Sequence, residues 1–415
     1  MKFVLLFAFL IFTGIGYWLR YLNLSYLRLH GHKVPPEFAG AVDPATLTRI
    51  TDYTLENSRF GLVASVLDNI LLITFLFGGL LPVYDRWIMT LTPSFIFRGI
   101  LFMLFLIYAQ TLLDIPFTLY QTFRIENKYG FNTTNFRLWL TDLLKGLVIG
   151  TAIGTIVVSG ALQLVAWCPA SWWFWVWLFF LCFSISIMYV SPYIIEPLFF
   201  RFEPVKIEGL EERIKGLMAK AGLRVSRVFQ VDASRRSRHS NAYFTGIGRV
   251  KRIVLFDTLL AQMTPEEILA VLAHEVGHWK KKHILKRIVV MEALSLLGLY
   301  LFHRLLQGTW LIGLVGHPEA SFYAKVAFLV FLAMLVAFPL TPLANYLSRR
   351  AEWTADRFAV ELTSDAGAMA GALVKLSKEN LSNLHPHPLY AAFYYGHPPP
   401  VERIRSLRGF SADKK

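Results

Sequence analysis

The chain of 415 residues is rich in apolar side chains and carries an excess of positive charge. Hydrophobic residues make up 55% of it, the mean hydropathy is +0.47 and the formal net charge is +14. This composition excludes an ordinary soluble globular protein and predicts a protein embedded in a lipid bilayer. A nucleic-acid partner is not expected, because no recognisable nucleic-acid-binding motif accompanies the charge.

Apolar stretches long enough to cross a bilayer recur along the chain and predict an all-α, polytopic membrane protein. The first stretch follows Lys2 and could be a signal peptide, but no convincing cleavage site follows, so an uncleaved span is the expectation. About seven spans are expected, near Phe3–Tyr17, Leu62–Tyr84, Phe95–Thr118, Leu143–Trp167, Trp172–Ile194, Val289–Leu306 and Tyr323–Leu340.

Lysine and arginine residues concentrate in two polar regions, one from about Phe200 to Ile288 and one after Leu340. The positive-inside rule predicts that both regions face the cytosol and that the N-terminus lies outside. The positive charge also favours attraction to anionic lipid. The membrane is either a bacterial inner membrane or that of the endoplasmic reticulum, and the sequence does not distinguish the two.

Four segments follow from this pattern. Residues 1–199 carry the first five spans, and residues 200–286 form a small cytosolic α+β portion. Residues 287–340 carry the last two spans, and residues 341–415 form a cytosolic tail. The membrane helices and the α+β portion together define the expected fold class.

Within the second segment, two short runs of alternating residues predict a β-hairpin between Asn241 and Phe256. An exposed edge strand at Asn241, Ala242 and Tyr243 could hold an extended peptide by backbone pairing. The hairpin could equally serve only as a cap on the next helix. The sequence alone leaves both possibilities open.

The next helix carries the motif H-E-x-x-H at His274, Glu275 and His278. Two histidines at i and i+4 lie on one helix face, so both imidazoles can bind one Zn²⁺. Glu275 is then placed to take a proton from a water molecule activated by the metal. Thr264 and Glu267 predict a capping box at the start of this helix.

A catalytic zinc site needs a third protein ligand and one open position. Glu352 is the candidate, on a helix that continues out of the seventh predicted span, and Asp356 is its i, i+4 neighbour and could accept a hydrogen bond from a ligating histidine. His278 and Glu352 are each on the order of 15 Å from the same membrane face. The alternative is a surface ion pair between Glu352 and Arg349 or Arg350.

The tail holds a polar, proline-rich segment from His397 to Arg403, before a short amphipathic helix. Either side chain could stabilise a tetrahedral oxyanion. Alternatively the prolines only begin a helix and Arg403 is solvated. We expect His239 and His283 at the surface near the site. Spacing alone does not show which tail histidine matters for the site: His385, His387 or His397.

Together these motifs resemble the Ste24-type CAAX prenyl proteases, integral-membrane zinc metalloproteases of peptidase family M48. Two departures are Phe200, where the family pattern often has Asn, and Trp353, where Tyr or Phe is usual. Neither removes a group from the metal site. The resemblance is carried by HEVGHWKKKH (His274–His283), NYLSRRAEWTAD (Asn345–Asp356), SNAYFTG (Ser240–Gly246), HPPPVERI (His397–Ile404), FRIENKYGFNTTN (Phe123–Asn135) and SPYIIEPLFFRFEP (Ser191–Pro204).

The resemblance implies one Zn²⁺ per chain, a helical barrel around an intramembrane chamber, and Glu275 as general base. It also implies backbone pairing of substrate with Asn241 and Ala242, and it points to His397 and Arg403 as groups near the reaction centre. The implied zinc ligands are His274, His278 and Glu352.

The expected function is a membrane zinc endopeptidase that cuts peptide bonds near the C-terminus of a peptide or protein substrate, possibly a prenylated CAAX substrate. One alternative is an HtpX-like quality-control protease, although its usual four-span plan disagrees with seven spans. Another is a transporter or lipid-handling protein with a vestigial or structural zinc site. Glu275 argues against that alternative, because a structural site needs no base.

Overall fold

The structure, a computed structural model, describes residues 1–245, 250–316 and 318–412. Long helices form a membrane portion, and shorter helices with a small sheet form a second portion beside it. Among the described residues, 6 helices are long and apolar enough to cross a membrane. The predicted class, a polytopic helical membrane protein with a small α+β portion, is confirmed, whereas the count of seven spans stays a prediction.

The N-terminal half consists mainly of helices joined by short connections. The predicted second span, Leu62–Tyr84, is interrupted, because Gly79 has φ 89° and only a residue without a side chain adopts that conformation readily. A π-helical turn at Gln121–Glu126 continues the fourth helix. The helices are α1 (Lys2–His30), α2 (Pro44–Leu76), α3 (Leu80–Leu91), α4 (Phe95–Tyr120), α5 (Phe136–Trp167) and α6 (Trp172–Ile194).

A four-stranded sheet has the order β1-β2-β4-β3, with β2 and β4 parallel and the other pairs antiparallel. The predicted hairpin corresponds to β3 and β4, and β3 is an edge strand. The connecting residues 246–249 lie outside the described residues. The elements of this portion are β1 (Phe202–Pro204), α7 (Leu210–Lys220), β2 (Arg224–Val231), β3 (Ala242–Thr245), β4 (Val250–Phe256), α8 (Asp257–Gln262) and α9 (Pro265–Lys280).

Helix α9 begins with the predicted capping box. The Thr264 hydroxyl accepts a hydrogen bond from the Glu267 N–H at 3.4 Å, and the Glu267 carboxylate accepts one from the Thr264 N–H at 2.8 Å. Ile268 and Leu272 are fully buried in the core between the sheet and the C-terminal helices. This packing fixes the face of α9 that carries the H-E-x-x-H motif.

The C-terminal part contains one helix of 42 residues, α12, with Pro339 and Pro342 inside it. At 1.5 Å per residue it is about 60 Å long. The predicted continuation of the last span as far as Glu352 and Asp356 is therefore confirmed. The elements are α10 (His283–Leu306), α11 (Trp310–Val315), α12 (Phe322–Thr363), α13 (Ala366–Glu379), α14 (Pro388–Tyr394) and α15 (Pro400–Ala412).

Candidate metal centre and active site

Helices α9 and α12 pack closely where Gly277 faces Ala355. A Cβ atom at Gly277 would lie 3.0 Å from the Ala355 Cα and 3.1 Å from its carbonyl oxygen. A helical glycine costs about 1 kcal/mol relative to alanine, and here its missing side chain lets the two backbones approach. The motif histidines on α9 are thereby brought within reach of Glu352 on α12.

The ring nitrogens of the two histidines and the Glu352 carboxylate lie close together, with one carboxylate oxygen beside each histidine. His274 Nε2 lies 3.1 Å from His278 Nε2 and 3.3 Å from Glu352 Oε2, and His278 Nε2 lies 3.2 Å from Glu352 Oε1. Around a tetrahedral zinc ion with bonds of about 2.0–2.1 Å, neighbouring ligand atoms are about 3.3 Å apart. The three side chains therefore have the spacing that a zinc ion requires.

The charges around these atoms also favour a cation. Burial lowers the pKa of His274, but hydrogen bonds to Asp356 and Glu352 outweigh it and raise that pKa to about 9. A bound cation would replace this proton, because a metal ligand must be the neutral imidazole. Two carboxylates face a single guanidinium, that of Arg403, which leaves a net negative charge for the ion.

The Glu352 carboxylate has an oxygen atom that is surrounded but poorly bonded. Oε2 is buried and, among the described residues, has no hydrogen bond of good geometry. Nitrogen atoms of His274, His397 and Arg403 nevertheless lie 3.3, 2.9 and 3.5 Å away. A carboxylate held in this way is arranged to bind a metal ion.

Behind the donor atoms lies a cluster of paired charges. His274 Nδ1 is 2.8 Å from Asp356 Oδ1, and Arg403 donates to both Asp356 oxygens, at 2.8 and 2.6 Å. His274, Glu352, Asp356 and Arg403 are 6%, 3%, 2% and 8% exposed. We call these four residues the buried cluster. Arg403 is thus engaged with carboxylates and is not solvated.

The alternative ion pairs of Glu352 do not form among the described residues. Arg349 donates to the carbonyl oxygens of Ala391 and Tyr395, at 3.3 and 2.6 Å. The Arg350 guanidinium lies 5.8 Å from the centre of the Tyr346 ring. Both arginines are therefore directed away from the metal centre.

Glu275, His397 and strand β3 form an accessible edge of the site, which we call the open rim. The His397 side chain is 71% exposed, and its Nδ1 lies 2.9 Å from Glu352 Oε2. Glu275 is half-buried, and within the described part of the chain its carboxylate forms no hydrogen bond or ion pair. The exposed His397 ring can contact a substrate, which the side chains of the buried cluster cannot; the Ala242 residue of β3 is itself only 8% exposed.

The open edge of β3 presents the Ala242 N–H. The Phe256 N–H donates to the Asn241 carbonyl at 3.1 Å, so this carbonyl faces β4. Adjacent residues of a strand point their N–H groups in opposite directions, and Ala242 N–H accordingly donates to Asn241 Oδ1, at 2.8 Å. The Tyr243 hydroxyl donates to Glu196 at 2.7 Å, which ties β3 to the end of α6.

His283, which the sequence analysis expected at the surface near the site, is partly exposed and contacts a motif histidine. Its Nδ1 lies 3.2 Å from His278 Nδ1, on the side of that ring opposite Glu352. Burial and the nearby His278 lower the pKa of His283, so a neutral ring can accept a hydrogen bond from His278. Lys282 makes this contact possible with φ 57°, which is uncommon for a residue with a side chain.

The other histidines have contacts of their own. His239 stacks on Phe131 at 4.1 Å, and its Nε2 lies 3.3 Å from Glu126 Oε2 at the end of the π-helical turn. His385 Nε2 lies 2.7 Å from the Lys33 carbonyl, and the His387 side chain caps α14. Of the tail histidines, His397 is the one that the structure brings to Glu352.

Known proteins resemble this chain over nearly its whole length. Residues 23–201 match a family model described as CAAX prenyl protease N-terminal, five membrane helices, and residues 204–411 match that of peptidase family M48. CAAX prenyl protease 1 of Saccharomyces cerevisiae is 31% identical, with 94% of this chain and 92% of that protein covered. A homolog from Arabidopsis thaliana is 33% identical, with 92% and 91% covered. The crystal structure of S. mikatae Ste24p superposes with a TM-score of 0.88 at 29% identity and 98% coverage of both chains.

Proposed function

The chain belongs to peptidase family M48 and is a membrane metalloendopeptidase, and from this we propose that it uses zinc to cut peptide bonds near the C-terminus of its substrates, including prenylated CAAX substrates. The observation that carries the proposal is the set of donor-atom separations at His274, His278 and Glu352, which lie between 3.1 and 3.3 Å. The CAAX prenyl proteases that resemble the chain support the substrate class.

His274, His278 and Glu352 would hold one Zn²⁺ per chain. A bound zinc ion supplies Lewis acidity, which activates water and polarises the scissile carbonyl. Asp356 accepts the Nδ1–H of His274 and so keeps the other nitrogen of that ring available. Arg403 holds Asp356 through two parallel hydrogen bonds, a geometry that fixes a carboxylate well.

The reacting groups come from the open rim. Glu275 takes the proton of the attacking water and passes it to the leaving amine, as a general base and then a general acid. His397, exposed beside Glu352, stabilises the negative charge that develops on the carbonyl oxygen. Arg403 is buried, so it acts through Asp356 and Glu352 and not by touching the substrate.

The substrate would bind as an additional strand on β3. Ala242 offers its N–H at the open edge, where an extended peptide can form main-chain hydrogen bonds, whereas the Asn241 carbonyl already accepts from Phe256. The Ala242 N–H first has to leave the Asn241 side chain, because that amide oxygen occupies it. The C-terminal end of the substrate would then point toward His397 and Arg403.

Two other functions fit less well. An HtpX-like quality-control protease usually has four spans, whereas 6 described helices are long and apolar enough to cross a membrane. A transporter or lipid-handling protein with a structural zinc site would be expected to close the site with four ligands. Among the described residues, three side chains form the donor group, one fewer than a closed site needs.

The functional test is a cleavage assay on the purified protein with farnesylated and unmodified peptides of one sequence. We expect the protein to cleave both peptides, with a higher kcat/KM for the farnesylated one. A chelator should abolish cleavage, and added Zn²⁺ should restore it. Equal kcat/KM values for the two peptides would rule out recognition of the prenyl group but not the protease activity. A zinc-loaded protein that cleaves neither peptide would overturn the proposal.

The proposed orientation places the metal centre in the cytosol and the N-terminus outside. Glu37, after α1, pairs with Arg405 of the tail at 2.7 Å, whereas Asp85, after α2, accepts a hydrogen bond from the Ser321 N–H at 2.9 Å. The segment after α1 thus contacts the C-terminal tail, and the segment after α2 contacts the residues before α12. Helices that cross the membrane in alternating directions require this arrangement. The His303 ring, near the end of α10, contacts that of Trp172 at 5.7 Å, which supports α10 as a further crossing.

Cysteine labelling in sealed membranes tests this orientation. Cys168 and Cys182 are the two native cysteines and would first be replaced by alanine. We expect exposed cysteines introduced by Lys281→Cys and Arg408→Cys to be labelled only from the cytosolic side. Ala170→Cys, in the connection between α5 and α6, is the control that should be labelled only from outside. Reversed accessibility would contradict the orientation.

A further inference from the structure

A cleft between α1, α2, α12 and α14 is lined by Arg20, whose side chain has no hydrogen-bond partner in the part of the chain that the structure describes. The cleft has a volume of about 220 Å³, and Arg20 lines it together with aromatic and polar side chains. Arg20 Nη1 is buried, and among the described residues it has no hydrogen-bond partner. A buried guanidinium nitrogen without a hydrogen-bond partner costs free energy, and an anionic ligand in the cleft would supply the partner.

Arg20 lies about 26 Å along α1 from Phe3, close to the roughly 30 Å thickness of a hydrocarbon core, so we infer that it lies at the edge of the bilayer. One turn later, Asn23 Oδ1 accepts a hydrogen bond from the His387 N–H at 2.9 Å, at the junction with the C-terminal helices. Arg20 therefore lies about 4.5 Å below this junction, and Phe12 about 12 Å deeper on the same helix. We accordingly place Arg20 at the depth of the lipid phosphates and Phe12 at that of the acyl chains.

The lining of the cleft changes from polar to apolar with increasing distance from this junction. Near Arg20, the Tyr17 hydroxyl accepts a hydrogen bond from Asn69 at 2.7 Å, which leaves its own proton free to donate. Farther from the junction, the rings of Phe12 and Phe338 stack at 5.1 Å. The cleft thus combines a cation and a hydroxyl donor at one end with an apolar wall at the other. The other apolar lining residues are Phe9, Met334 and Leu335.

We propose that this cleft binds one acidic phospholipid of the bilayer, with its phosphate on Arg20 and one acyl chain along the aromatic wall. A guanidinium can form two parallel hydrogen bonds to a phosphate, and burial strengthens such a contact. A lipid with net negative charge compensates Arg20, whereas a zwitterionic lipid adds a second cation. Phe338 lies about 21 Å along α12 from Glu352, so this site is separate from the metal centre.

The test uses the full-length protein in nanodiscs that contain phosphatidylglycerol and phosphatidylcholine in equal amounts. Native mass spectrometry counts the lipids that each variant retains. We expect the wild-type protein to retain one phosphatidylglycerol, and Arg20→Gln to retain it at least about fivefold less, the effect of one cation near a membrane surface. Arg20→Lys keeps the charge and should retain most of the binding. Arg28→Gln, an exposed position on the same helix, is the matched control and should behave as the wild type.

Two results would overturn the proposal. One is equal retention of phosphatidylglycerol by the wild type and Arg20→Gln. The other is retention of phosphatidylcholine as strongly as phosphatidylglycerol by the wild type. If Arg20→Gln does not fold, the Tm of the wild-type protein is compared in nanodiscs of each lipid alone. It should be higher in phosphatidylglycerol than in phosphatidylcholine, and equal values would contradict the proposal.

Discussion

The buried cluster and the open rim lie side by side but differ in how their charges are satisfied. Arg403 and Asp356 are paired at 2.6 and 2.8 Å and are nearly inaccessible, whereas His397 is 71% exposed. Removing one partner of a buried ion pair typically costs 3–5 kcal/mol, which makes such a cluster suited to holding ligands in place. An exposed group is free to meet a substrate. Changes in the cluster should therefore impair metal binding, and changes in the rim should impair turnover.

The largest effect is expected for Glu352→Ala in the buried cluster. The change removes one of three metal donors and leaves Arg403 facing a cavity, so we expect zinc affinity to fall more than about 100-fold, beyond the loss for a residue that only supports a ligand. Turnover should be undetectable. Metal analysis of the purified protein measures this, with Glu361→Ala, an exposed position on the same helix, as control. Wild-type zinc affinity in Glu352→Ala would remove Glu352 from the site.

Glu275→Gln, in the open rim, should impair turnover without affecting metal binding by the buried cluster. The amide keeps the size of the side chain but cannot take a proton, so we expect kcat to fall about 10³-fold. Zinc content and Tm should remain those of the wild type. Near-normal turnover by the zinc-loaded variant would eliminate Glu275 as the base.

His397→Ala should lower kcat about 10²-fold and change KM little, because a contact with an oxyanion strengthens in the transition state. Steady-state kinetics at saturating zinc make the measurement. His385→Ala is the control, since its ring contacts the Lys33 carbonyl instead. Unchanged kcat with a raised KM would assign His397 to substrate recognition, and a loss of zinc would assign it to holding Glu352.

Ala242→Pro tests the edge strand with a smaller effect. Proline removes an N–H that faces the open edge, and we expect about a tenfold rise in KM for the loss of one main-chain hydrogen bond. Ala242→Ser keeps the N–H and should leave KM close to that of the wild type. A normal KM for the proline variant would place the substrate elsewhere.

An effect of similar size, on zinc binding, is expected for His283→Ala, which removes the contact with the ligand His278. Loss of a group that orients a metal ligand costs 10–100-fold in affinity, and we expect about tenfold because His283 contacts one ligand only. Competition with a zinc chelator provides the measurement. His303→Ala, near the other end of α10, should have no effect on zinc. Identical zinc affinity in both variants would show that His283 does not orient His278.

The sequence by itself was sufficient for features that depend on neighbours along the chain. The capping box of Thr264 and Glu267, the shared helix face of His274 and His278, and the apolar helices all follow from local periodicity and short-range hydrogen bonds. The predicted hairpin also appears, as β3 and β4. The role of each site residue still awaits the experiments above.

Only the tertiary structure decided which of these local features meet. The contact of Glu352 with the motif histidines depends on the close packing of Gly277 against Ala355, which no spacing along the chain encodes. Spacing left the tail histidines unresolved, although the resemblance pointed to His397, and the structure brings His397 to Glu352. The contact of His283 with His278 depends on the turn at Lys282. That Arg20 has no hydrogen-bond partner among the described residues is likewise a property of the packed helices and not of the sequence.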